Sequence, residues 1–319
     1  MSIVRNGQST NRAVRSITQK KFSVSDHVLV VGGSGRLGRL LRIAWPQSST
    51  VQLIWQARQP NPGADLVFDP LADADTYRRE AEGACAIFNL AGRVAGNADD
   101  MSLHRELALA ALNAAQASGV RHVFLTSSAA VYGKCLGPAK EGGLTKPVSA
   151  YGQAKLDMED AARDWANKFG AQAPGITCLR IGNVAGADQL LTRKYHDLID
   201  LDTFPDGRSP RRSYIGPRAL AAILARLFEH VSTGKTLPFL LNVALDGAVA
   251  MDALLAADAR SWNPRKAGAG AIAEVRLDVS RLLGLTGQFE VAANAAEIVA
   301  DMRWAEEQGR VHATVKTSF

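Results

Sequence analysis

Cysteine is scarce in this 319-residue chain: Cys85, Cys135 and Cys178 are all there is, with no C-x-x-C pair. That excludes a disulfide framework and a zinc site of the usual ligand spacing, so no metal is expected and a reducing, cytoplasmic compartment fits. Cys85 and Cys178 stand in apolar, strand-like runs ("ACAIFNL", "ITCLRI") and read as core residues. No run of about 18 uncharged apolar residues occurs, which excludes a membrane span. Residues 1–25 contain no acid, yet hold Arg5, Arg12, Arg15, Lys20 and Lys21. Most of the net charge of +6 is therefore a tail's and not a groove's, and no nucleic-acid partner is expected. The tail lacks the apolar stretch of a secretory signal. Its Arg- and Ser-rich make-up suits an organellar transit peptide or, the preferred reading, a disordered extension.

What is present is an alternation of short apolar runs and longer helical patterns. Strands are expected at 27–32, 51–56, 85–92, 122–128 and 176–183, with helices at 36–45, 102–118 and 151–169. The last shows Leu156, Met158, Ala162, Trp165, Ala166 and Phe169 near the 3.6-residue period. Strand and helix in this order predict an α/β fold: a doubly wound, Rossmann-type parallel sheet covered on both faces. Beyond residue 184 the pattern loosens. Residues 202–217 read as a long loop, 218–230 as a helix and 238–244 as a late strand, and the remainder as mostly helical. The expected organisation is a tail over 1–25, a nucleotide-binding core over 26–184 completed by that late strand, and a smaller, mostly helical substrate lobe over 185–319, interleaved with the core.

Gly32, Gly35 and Gly38 form G-x-x-G-x-x-G where the first strand gives way to the first helix. A diphosphate seated there needs backbone N–H groups close by and the positive end of a helix, and a Cβ would hold it away. The spacing resembles that of the extended short-chain dehydrogenase/reductases, the family of sugar-nucleotide epimerases and dehydratases. Downstream blocks agree: "NLAG" (89–92), "TSSAAVYG" (126–133), "YGQAK" (151–155) and "LRIGNVAG" (179–186) follow in the family's order. The last lacks the usual proline after its final glycine.

Tyr151 and Lys155 are four apart, so one helix face carries both. An ammonium beside a phenol favours the phenolate, and a lowered tyrosine pKa would suit general acid/base work on a hydroxyl or carbonyl. The resemblance implies Ser128, Tyr151 and Lys155 as catalytic residues, with Lys155 also on the nicotinamide ribose and Thr126, Ser127 and Tyr132 as weaker candidates. It further implies cofactor contacts from Gly32, Gly35, Arg36, Leu37, Gly38, Asp69, Leu90, Ala91, Gly92 and Ser127. Substrate contacts would come from Ser128, Tyr151, Asn183 and Arg212, the last in "RRSYIGP" where the family's arginine grips the diphosphate of a nucleotide sugar.

The second strand ends "LIWQARQ", without the acid that NAD enzymes place on the adenosine ribose. Arg58 there and Arg36 in the glycine loop suit a 2′-phosphate, which favours NADP over NAD. After Ser128 stand Ala129 and Ala130 instead of the Asp-Glu pair of 4,6-dehydratases, so elimination is disfavoured. His104 falls where the family often has an Asn near the cofactor, and reads as a half-exposed helix histidine. The expected activity is hydride transfer at a carbinol or ketone carbon of a sugar or nucleotide sugar, by a reductase or an epimerase. The alternative is a cofactor-binding sensor or scaffold without turnover. Family analogy adds a homodimer formed through 102–118 and 151–169.

Overall fold

The computed structural model describes residues 27–94, 96–192, 198–288 and 293–316; the basic tail lies outside them. The first half alternates as β1 (His27–Val31), α1 (Arg36–Ala44), β2 (Gln52–Ala57), β3 (Leu66–Val67), α2 (Ala74–Ala81), β4 (Ala86–Asn89), α3 (Ala98–Ser118), β5 (His122–Ser128), α4 (Ala150–Phe169) and β6 (Gly175–Ile181). There follow β7 (Asn183–Val184), β8 (Ile199–Thr203), β9 (Arg211–Arg212), β10 (Tyr214–Ile215), α5 (Pro217–Ser232) and β11 (Leu240–Val243). The chain continues through β12 (Val249–Ala250), α6 (Met251–Ala257), β13 (Trp262–Lys266), β14 (Glu274–Val275), α7 (Ser280–Thr286) and α8 (Ala295–Lys316).

Seven strands form one parallel sheet in the order β11-β6-β5-β4-β1-β2-β3. Both faces are covered, which is why Val28, Leu29 and Val30 are wholly buried without polar alternation. Trp45, Phe88, Phe124 and Phe228 pack as an aromatic cluster on one face. Leu29, Ile87, Leu125, Met158 and Trp165 fill the other. Strand order reverses between β1 and β4, and the crevice at their carboxyl ends is where such sheets seat ligands.

Helix starts place the functional residues. Asn97 and Asp100 close a capping box on α3, which stops at Gly119 in the left-handed region. The Ser149 hydroxyl accepts from Gly152 N at 3.1 Å and starts α4 two residues before Tyr151. Across the chain, the Asp301 carboxylate of α8 accepts from Arg218 N (3.1 Å) and Ala219 N (3.4 Å), capping α5.

The five strands and four helices expected up to residue 232, and the late strand, are all present within a residue or a few of their expected ends. The lobe differs. Residues 202–217 hold the end of β8 with β9 and β10 instead of a continuous loop, and the lobe is not mostly helical. It contains the small sheets β12-β9-β14, β13-β8 and β10-β7 between its helices. Strands of two to five residues get their stability from partners far along the chain, so neither periodicity nor length betrays them.

Candidate active site

At the carboxyl ends of β1, β4, β5 and β6 lies a cavity of about 820 Å³ that reaches from the glycine loop to the lobe. Gly32 sits at φ +84°, and a Cβ there would meet the Ala91 backbone at 2.7 Å. A Cβ on Gly38 would stand 2.4 Å from the Gly33 carbonyl oxygen. Gly35 is the N-cap of α1 and has no side chain to satisfy the first amides of the helix. The Gly32, Gly33 and Gly35 amides are engaged within the protein, and what the loop offers is the uncapped first turn of α1 with no Cβ in the way, the helix N-terminus a dinucleotide diphosphate requires. Gly32, Gly35, Leu37, Gly38, Leu90 and Gly92 all face this cavity, and Ala91 backs the loop.

The adenosine end is built differently from expectation. Gln56 occupies the end of β2: its Oε1 accepts from Gly32 N at 2.9 Å and its amide donates to Phe68 O. Both carboxamide groups are thus engaged within the protein. Arg58 is exposed beyond them. Arg36 borders the cavity but crosses to the lobe, donating to Thr192 Oγ1 at 3.1 Å and Ala187 O at 3.5 Å. Asp69 accepts from Leu71 N at 2.9 Å and shapes a turn, the role of an Asx residue, with no pointer to adenine.

Ser128, Tyr151 and Lys155 meet in one corner of the cavity. Lys155 is 4 % exposed, donates to Thr126 O at 2.6 Å, and stands 5.6 Å from the centre of the Tyr151 ring. Burial pulls its ammonium down to about 7, with Cys178 and Glu159 acting the other way. The sequence predicts a lowered Tyr151 pKa; the structure gives the reverse. Burial raises it, and the hydrogen bond from Ser128 only offsets part of this. Desolvation of the phenol outweighs an ammonium that Thr126 already holds. The Ser128 oxygen also accepts from Ala130 N at 3.1 Å, which fixes its position.

Ser127 borders the cavity, with its hydroxyl donating to Glu159 at 2.5 Å. His104 is corrected too. It is 2 % exposed, not half-exposed, and its ring lies edge-on to Tyr151 at 5.7 Å. Its Nε2–H donates to Arg93 O at 2.7 Å, while Nδ1 has no partner among the described residues. Burial, and then the charge of Lys155, pull its pKa down to about 4, so it is neutral near pH 7. Gly92 must lack a side chain here, since a Cβ would lie 2.4 Å from the imidazole. Only the motif alignment hinted at this position; helix periodicity did not.

At the far wall stand Asn183 and Arg212. The Arg212 guanidinium is held by the carbonyls of Arg211 (2.8 Å) and Ile272 (2.9 Å), without a carboxylate partner among the described residues. Burial lowers its pKa, opposed by the charges of Tyr214, Asp202 and Glu274. A guanidinium fixed by carbonyls and facing a cavity invites an anion. No group of metal-ligating residues occurs among the described residues.

Comparison with known proteins agrees with this architecture. Residues 28–240 match the model of the NAD dependent epimerase/dehydratase family. An 81-residue stretch is 42% identical to UDP-glucose 4-epimerase of Corynebacterium glutamicum, covering 25% of this chain and 24% of that protein. A 150-residue stretch is 28% identical to N-acetyl-alpha-D-glucosaminyl-diphospho-ditrans,octacis-undecaprenol 4-epimerase of Escherichia coli O157:H7, covering 46% and 45%. The matches thus span less than half of either curated relative. Among solved structures, UDP-glucose 4-epimerase from Brucella ovis in complex with NAD superposes with a TM-score of 0.73 at 20% identity, over 89% of this chain and 99% of that one. MoeE5 in complex with UDP-glucuronic acid and NAD gives 0.70 at 20% identity, over 89% and 99%. With a glycine cradle, a parallel sheet and two thirds of its length matched, the chain belongs to the NAD dependent epimerase/dehydratase family.

Proposed function

We propose that this protein is an NAD(P)-linked epimerase of a sugar nucleotide, working at a secondary carbinol carbon with Tyr151 as general acid/base. One observation carries the reading: the Ser128–Tyr151–Lys155 corner, the glycine cradle and the carbonyl-held Arg212 guanidinium open into one cavity. Both curated relatives are 4-epimerases, which supports return of the hydride to the same carbon.

The cradle of Gly32, Gly35 and Gly38 would hold the dinucleotide diphosphate against the first turn of α1. When bound, the dinucleotide would supply the hydride acceptor and donor. Tyr151 takes the hydroxyl proton as the carbon is oxidised and returns it on reduction. Ser128 donates to the same substrate oxygen. Lys155, held on Thr126 O, places its charge where the phenolate forms. Arg212 pairs with the substrate diphosphate and Asn183 orients the group beside it. Ala129 and Ala130 leave no carboxylate after Ser128 for elimination, which argues against a dehydratase.

The engaged carboxamide of Gln56 favours a second reading, a reductase that exchanges NADP(H) with solvent. With no acid at the end of β2, the adenosine ribose lacks its usual partner, and the exposed Arg58 is the cation nearest in sequence. Arg58→Ala should then weaken NADPH more than NADH; equal losses in a binding titration would remove Arg58 as the phosphate reader.

The test is turnover of UDP-glucose and UDP-galactose followed by proton NMR, after assaying for dinucleotide carried through purification. Interconversion by the wild type, lost by about a thousandfold in Tyr151→Phe with dinucleotide affinity kept, is the expected result. Tyr151→Phe with wild-type turnover would overturn the role of the tyrosine. Binding of dinucleotide without turnover of any sugar nucleotide would favour a sensor or scaffold. The homodimer suggested by α3 and α4 is checked by sedimentation.

A further inference from the structure

Lys155 and Glu159 lie four residues apart on the buried face of α4, the spacing at which opposite charges close an ion pair. They are 4 % and 1 % exposed, so water does not separate them. They also anchor on successive residues of β5: Lys155 Nζ donates to Thr126 O, and Glu159 accepts from the Ser127 hydroxyl. Yet no ion pair between them closes among the described residues. The carboxylate is occupied from the opposite side. Arg180 pairs in register with Ser127 on the neighbouring strand β6 and presents its planar fork, with Nε 3.0 Å from Oε1 and Nη2 2.6 Å from Oε2. The guanidinium is itself fixed by Glu141 O at 3.2 Å and lies over the Tyr132 ring at 4.8 Å. Ser127 takes a further acceptor position at 2.5 Å.

We propose that Arg180 is a positioning residue that acts by occupying Glu159, so that Lys155 stays a lone ammonium beside Tyr151 instead of being captured by the carboxylate one turn away. Lys155, Glu159 and Arg180 are buried together, with Glu159 paired to Arg180, while the buried Glu141 turns its carboxylate to Asn242 N. The positive charge outside the Arg180–Glu159 pair resides on Lys155, the member that faces the cavity. A Lys155–Glu159 pair would neutralise that charge and draw the amine away from Thr126 O and the Tyr151 ring. Every other group around Lys155 is neutral at pH 7 or engaged: His104 from α3 is uncharged, the Cys178 thiol from β6 is held protonated by burial, and Thr126 offers a carbonyl. Among the described residues, Glu159 is thus the carboxylate placed to capture it.

The activity arm of the test rests on the reading of Tyr151 given above; the titration arm does not. Lys155 is titrated by NMR in the full chain labelled with ¹³Cε-lysine, its signal identified by its loss in Lys155→Met. In Arg180→Gln the Lys155 midpoint should rise by about one unit or more as Glu159 closes on it, and turnover should fall about tenfold or further. Adding Glu159→Gln removes the captor: the midpoint should drop back to the wild-type value or below it, and turnover should recover to within about threefold. Recovery on adding a second lesion is not expected of a purely structural ion pair, whose losses would add or stay level. An unchanged or lowered midpoint in Arg180→Gln, or no recovery in the double variant, overturns the proposal. If Arg180→Gln does not fold, Arg180→Lys takes its place; it keeps the charge on Glu159 and must leave the Lys155 midpoint unmoved, and a rise of about one unit there is equally fatal. Should Tyr151→Phe prove fully active, the midpoints still decide whether Arg180 keeps Lys155 free.

Discussion

Glycine 38 shows how little room the cofactor cradle leaves. A methyl group there would press on the Gly33 carbonyl, which is backbone and has nowhere to go. Gly38→Ala should cost about 1–3 kcal/mol in denaturant unfolding and abolish dinucleotide binding. Full affinity in a folded variant would mean that the loop is not the diphosphate site. Two buried histidines make a second prediction, in pH. Burial takes His122 down to about 3 and, with Lys155 as the second cause, His104 to about 4. Above pH ~6.5 both are neutral in the folded and unfolded chain alike. Below it the unfolded chain binds protons that the folded one refuses, so stability is lost as pH falls from 6.5 toward 4 and then 3. Denaturant midpoints should fall over that range, and more shallowly in His122→Asn; an unchanged slope would show that His122 titrates normally. The residues that sequence made visible are those with local spacing, the glycine loop and the i, i+4 pair Tyr151–Lys155. His104, Gln56 and Arg180 were opaque because each is defined by a contact with a distant segment: Tyr151, Gly32 and Glu159 respectively.

At the scale of elements, the start of α4 is both a stability device and a placement device. The Ser149 cap satisfies an amide of the very turn that carries Tyr151. Ser149→Ala should cost about 1 kcal/mol. Fraying of that turn would also loosen the phenol, so turnover should drop roughly three- to tenfold with little change in KM. A stability loss with unaltered turnover would show that packing alone holds Tyr151. The main strands could be read from sequence because a sheet buried on both faces demands unbroken runs such as "HVLVV" and "AIFN". The lobe strands could not. Arg211–Arg212 is a strand only because Val249–Ala250 and Glu274–Val275 lie alongside it, and nothing in two arginines announces that.

For the molecule as a whole, core and lobe are tied at several points. Arg36 reaches from the glycine loop to Thr192, and Ala139 exchanges backbone hydrogen bonds with Arg276 and Asp278; within the lobe, Asp301 of α8 holds the first turn of α5. Asp301→Ala frees those amides and leaves Arg218 without its carboxylate, and should destabilise the whole chain by about 1–2 kcal/mol in one cooperative transition. A separate early transition would mean that the lobe melts by itself.

The strongest tie is topological. β11, which closes the main sheet beside β6, arrives only after the first part of the lobe has been traversed. A fragment cut at residue 184 would keep the cradle glycines, Ser128, Tyr151 and Lys155, yet would leave Gly175–Ile181 as a bare sheet margin of buried, mostly apolar residues with unpaired amides. Such a margin recruits strands from other molecules. The minimal nucleotide-binding piece is therefore not separable as a soluble unit: whoever trims this protein down to its motifs should recover inclusion bodies, and any workable truncation must retain the chain through Val243.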